Sequence, residues 1–172
     1  MATLSNENII ERWFASIGGA ENQGEELERE FVKKVESAGI PGLSLARKSL
    51  TADFSGFFKI TRGGLSKPRE FIEVTHEKLQ GYVIYAGTRA YGKQLLASWY
   101  LVADEKKLPH WARMAGGMIN MMKLDLFETE ELSAFTTLVH SAFTEAAEEM
   151  MNGLHLDFSK VDTHTKGFLN LS

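Results

Sequence analysis

The chain of 172 residues has no cysteine. Disulfides, thiolate metal sites and a cysteine nucleophile are therefore excluded. That fits a reducing compartment. Proline is scarce, with three residues, so long polyproline segments are excluded as well. The start, MATLSNENIIERWF, has no basic region followed by an apolar one, so it is not read as a signal peptide. A cytoplasmic location is the expectation. Catalytic signatures are also missing. The glycine-rich stretches GGAENQG, TRGGLSKP and AGTRAYGK match neither a phosphate loop nor a dinucleotide fingerprint, and there is no G-x-S-x-G. The pattern H-E-x-x-H is absent too, and no cofactor is called for.

What is present is an ordinary globular composition, 44% hydrophobic and 24% charged, in a length that suits one domain spanning 1–172. The net charge of −4 hides an uneven distribution. Residues 1–46 balance at −4, residues 47–93 at +5 and residues 94–172 at −5. A basic middle between acidic ends signals either attraction within the fold or an anion-binding face.

Hydrophobic periodicity divides the chain into helices, strands and helices. Ile9, Ile10, Trp13, Phe14 and Ile17 suggest a first helix, capped by Ser5 and stopped at Gly18-Gly19. A second helix is expected over about 21–38, with Leu27, Phe31 and Val35 on one stripe. Its end, SAGIP, supplies Gly39 for a left-handed position and Pro41 to forbid continuation. Segments 43–51, 54–62, 69–78, 81–90 and 93–103 are rich in β-branched and aromatic residues and read as strands. A third helix is expected to start at Pro109 and a fourth near Thr129. The expected fold class is α+β: an antiparallel β-meander of about five strands flanked by N-terminal and C-terminal helices.

The most apolar run, 81–104, carries Arg89 and Lys93 in its middle. Two cations at mid-span disfavour a membrane helix, so the run reads as a hairpin and no membrane partner is expected. With 89–92 as the turn, Arg89 would face Lys93, and Tyr85 would pair with Ala97. Glu73, Tyr85, Arg89, Lys93 and Trp99 would then share one mixed face. These five are the candidate ligand or interface residues. Arg89 and Lys93 would form an anion clamp, and Tyr85 and Trp99 an apolar contact surface.

The histidines give little. His110 and His140 have no partner at metal spacing, and His155, Asp157, Asp162 and His164 form only a weak potential ligand cluster. The best reading is a non-enzymatic binding protein that self-associates, as a homo-oligomer, or meets a protein partner through that sheet face. The alternative is sheet-mediated binding of nucleic acid or a small anionic ligand. Lys59, Arg62, Lys67, Arg69, Lys78, Arg89 and Lys93 would supply charge, and Phe57, Phe58, Tyr82, Tyr85 and Tyr91 would stack bases.

Overall fold

The computed structural model describes residues 2–4, 8–52, 67–103 and 124–167. In chain order the elements are β1 (Ala2–Leu4), β2 (Ile9–Gly18), α1 (Gly24–Ser37), β3 (Leu43–Ala52), β4 (Arg69–His76), β5 (Tyr82–Tyr91), β6 (Gln94–Ala103), α2 (Leu126–Gly153) and β7 (Lys166–Gly167). The fold is α+β. Five long strands form an antiparallel sheet in the order β3-β4-β5-β6-β2, with β1 and β7 added at its two edges. β1 runs parallel to β3. The expected strand over 54–62, the helix from Pro109 and His110 lie outside the described residues.

The segment expected to be the first helix is the strand β2. Its burial alternates: Glu11, Trp13, Ala15 and Ile17 point inward, and Arg12, Phe14 and Ser16 point outward. A helical stripe groups Trp13 with Phe14, whereas the pleat separates them onto opposite faces. Pairing with β6 from Ile9↔Val102 to Gly18↔Gln94 decides the outcome, because this aromatic and β-branched segment suits a half-buried pleat.

α1 follows the expected stripe, with Leu27, Phe31 and Val35 buried. Gly39 takes φ +60° after the helix end, a conformation that costs glycine nothing. α2 begins three residues earlier than expected. Asp125 and Glu128 form a reciprocal capping box there, satisfying two otherwise orphaned backbone donors. Both helices cover one face of the sheet. Phe31 of α1 meets Phe143 of α2 edge-on at 5.0 Å, and Lys34 bridges to Glu149 at 2.7 Å. Beneath them lie Trp13, Ile17, Ile72, Val74, Ile84, Leu95, Trp99 and Leu101. The opposite face carries a smaller buried cluster of Leu50, Phe71, Val83, Tyr85 and Val102.

The β5–β6 turn differs from expectation in a way that matters for function. Tyr91 pairs with Gln94, so the loop is Gly92–Lys93 alone. Gly92 has φ +61° and Lys93 does not have a positive φ, the pattern of a type II′ hairpin turn. Tyr85 therefore pairs with Tyr100 and Arg89 with Leu96. The register moves by three residues. An odd shift exchanges the faces of a whole strand, so Leu95, Ala97 and Trp99 enter the helix-covered core while Leu96, Ser98 and Tyr100 join Tyr85 and Arg89. For β4 and β5, a turn at 78–81 is expected to set Val74 opposite Ala86; instead Ile72 faces Ala86 and Val74 faces Ile84, a shift of two residues. An even shift leaves the faces as expected.

Candidate anion-binding groove

Three of the five expected site residues share the second face, and two do not. Glu73 and Tyr85 pair across β4 and β5. The Tyr85 hydroxyl donates to Glu73 at 3.2 Å, and Lys48 stands 3.7 Å from the same carboxylate. Tyr85 is buried in this cluster. Arg89 is exposed on the same face, its guanidinium 5.3 Å from the centre of the Tyr91 ring. Lys93 stands in the turn, where its backbone carbonyl accepts from Gly19 at 2.9 Å. Trp99 is fully buried on the opposite face, and its indole donates to His140 Nδ1 at 3.2 Å. The expected Arg89–Lys93 clamp is therefore not assembled, and Trp99 offers no contact surface.

A different second cation stands near Arg89. Arg69 and Arg89 line one notch of about 50 Å³ together with Phe14, Phe71, Gly87, Ser98 and Tyr100. Among the described residues neither arginine has an ion-pair partner. The floor is set by strand register. Ser98 pairs with Phe14 on one side and Gly87 on the other. A Cβ on Gly87 would lie 2.8 Å from Phe71 Cδ1, so the missing side chain is what lets that ring lie close to the sheet. Glu70 approaches the notch with its backbone carbonyl, 3.1 Å from the same point. By strand alternation its side chain belongs to the face of Ile72 and Val74.

The notch adjoins a larger groove of about 320 Å³ lined by Arg12, Trp13, Phe14, Tyr100, Asp162, His164 and Lys166. Phe14 and Tyr100 are common to both. Phe14 is 58% exposed, so its ring is available to a partner. This volume lies near the small end of ligand pockets, roughly 300–1,000 Å³.

One wall of the groove is the segment that follows α2. The Trp13 indole donates to the Asp162 carbonyl at 2.8 Å, Thr165 donates to the buried Glu11 carboxylate, and β7 pairs with β2 through Arg12↔Lys166. His140 also bonds to the Thr163 backbone. Since its Nδ1 accepts from Trp99, Nε2 is the nitrogen that carries the proton. Burial holds the His140 pKa below the ordinary histidine value, against the opposing effect of the Thr163 bond. The Asp162 carboxyl is held below the usual range by hydrogen bonds from the His164 backbone and ring.

The weak potential metal cluster has separate local roles. Asp157 caps the short 3-10 turn at Ser159, Asp162 binds His164, and His155 takes φ +57° just beyond α2. Among the described residues no three His, Asp or Glu side chains converge as a metal site.

Phe14, Gly87, Ser98 and Tyr100 are not among the expected site residues, and Arg69 is expected only as one of the charges in the nucleic-acid or anionic-ligand alternative. Strict alternation through Arg12-Trp13-Phe14-Ala15-Ser16 was the signal that could have placed Phe14 outward. No protein-family model, curated protein or solved structure matches this chain.

Proposed function

We propose that the protein is a binding protein that takes a small anion-bearing ligand on the open part of its second sheet face. One observation carries this reading: two arginines, Arg69 and Arg89, line the same notch without an ion-pair partner among the described residues. Like charges brought together on neighbouring strands are unfavourable, and an anion between them would convert that repulsion into attraction. The planar guanidinium fork suits phosphate and carboxylate groups. No helix among the described residues is long and apolar enough to cross a membrane.

The test is a thermal-shift titration with phosphate, sulfate and small carboxylates. A ligand that binds only the native state raises the melting temperature by mass action. Wild type should respond to at least one anion, and Arg69→Ala, Arg89→Ala should fold normally and lose the response. If no anion raises the melting temperature, or if the double variant responds equally, the reading is wrong.

The exposure of Phe14 beside the half-buried Tyr100 favours a second reading, in which a second copy packs on this face. Tyr85 and Trp99 are buried within the chain, so Phe14 would have to carry that contact. Light scattering of wild type and Phe14→Glu separates the readings. A dimer that becomes monomeric in the variant supports self-association, and a wild-type monomer removes it.

A further inference from the structure

We infer that the ligand of this groove is a single phosphate monoester bearing a planar ring, with its phosphate between Arg69 and Arg89 and its ring on Phe14 and Tyr100. This rests on the anion-binding reading above and names the ligand class. The charge argument concerns the notch. A phosphate monoester carries about −1.5 to −2 charges at neutral pH, which matches two guanidinium groups, whereas a carboxylate carries one. A notch of about 50 Å³ has room for a head group and not for a whole molecule.

The shape argument concerns what adjoins the notch. Across β2, β6, β5 and β4 the residues run Phe14, Ser98, Gly87, Phe71. Two phenyl rings thus flank a glycine and a serine, across three strand spacings of about 4.8 Å each. With the Phe71 ring already over Gly87, a flat ring has Phe14 and Tyr100, where the notch opens into the larger groove, to lie against. Aromatic platforms on sheets hold planar bases in this way, independently of base identity.

The groove also has a far end, and it is not another phosphate site. Asp162 is an anion there, opposed by Lys166 and His164. Among the described residues lining it, Arg12 adds one unmatched charge, against two at the Arg69–Arg89 end. Asp162 also offers an acceptor for hydroxyl or amino groups of the bound molecule. A polymer with a phosphate on each unit would set one of them against that carboxylate.

Isothermal titration calorimetry on the full chain tests this with four probes: adenosine 5′-monophosphate, ribose 5-phosphate, adenosine and a tetradeoxyadenylate. The monophosphate should bind roughly tenfold tighter than ribose 5-phosphate, and adenosine more weakly still. Phe14→Ala should remove the difference between monophosphate and ribose 5-phosphate while leaving ribose 5-phosphate binding intact. Arg89→Ala should weaken both phosphates alike.

If the two phosphates bind equally in wild type, or if Phe14→Ala leaves their difference unchanged, the ring subsite is wrong while the anion site stands. If the tetranucleotide binds more than about tenfold tighter than the monophosphate, a nucleic-acid surface replaces the single-molecule ligand. If neither phosphate binds, this inference is wrong, and the anion-binding reading is then decided by the sulfate and carboxylate arms of the thermal-shift titration.

Discussion

The two faces of the sheet handle polar groups in opposite ways. On the helix-covered side, the buried indoles and the Glu28 carboxylate meet partners within the chain, and the buried His76 Nδ1 is the exception among the described residues. Trp99 donates to His140, Trp13 to the Asp162 carbonyl, and the Glu28 carboxylate accepts from the Thr88 backbone, the Thr88 hydroxyl and Arg47. These bonds tie α1, α2 and the C-terminal segment to the sheet. On the other side Glu73, Tyr85 and Lys48 also meet one another, but the strip next to them differs. There Phe14 is exposed, and Arg69 and Arg89 stand without an ion-pair partner among the described residues. Unmet polar capacity is costly only where water is excluded. On an open face it is tolerated, and it is available to a ligand.

Substitutions on the two faces should therefore separate stability from binding. The largest loss is expected for Trp99→Ala, about 3–5 kcal/mol in urea unfolding, from the cavity and from the orphaned His140 nitrogen. Glu28→Ala comes next, about 1–3 kcal/mol, because it leaves the Thr88 donors without their acceptor. A loss under about 0.5 kcal/mol at either position would place that residue outside the tight side of the contrast.

The pH dependence sharpens the same comparison. The folded-state pKa of His140 is depressed by burial, so near its unfolded value of about 6.5 the unfolded chain binds more protons than the native one. Stability is then fully present above that value and is lost as pH falls through it towards the folded-state pKa. Urea unfolding at pH 7.5 and pH 5.5 should show this loss, and His140→Phe should flatten the dependence while lowering stability at both. Equal slopes in the two proteins would remove His140 from the account. The smallest effect is expected on the open face, where Arg89→Ala should change stability by no more than about 0.5 kcal/mol.

The sequence and the fold agree where one pattern decides the outcome. Leu27, Phe31 and Val35 mark α1, and Gly39 marks its end, because a helix stripe and a left-handed cap are local properties. The antiparallel meander is legible from alternating segments divided by turns. β2 was not, since Trp13-Phe14 and Ile9-Ile10 satisfy a helical stripe as well as a pleat, and pairing with a strand some eighty residues away chooses between them. The site was half legible. Glu73, Tyr85 and Arg89 were placed on one face correctly, whereas Trp99 was misplaced by a single turn. Taking 89–92 as the turn, where Gly92 is in fact the first residue of a two-residue turn, carries every β6 side chain to the wrong face. Arg69 became part of the notch only once β4 and β5 were aligned.

The central claim is that an anion sits between Arg69 and Arg89 on the open strip of the second face. Amide chemical-shift mapping by NMR during a titration with inorganic phosphate tests it most directly. The account predicts saturable shifts that centre on Arg69, Gly87, Arg89 and Ser98 and disappear in Arg69→Ala, Arg89→Ala. Shifts centred on the Gly92–Lys93 turn or on Lys78, or no saturable shifts at all, would contradict it.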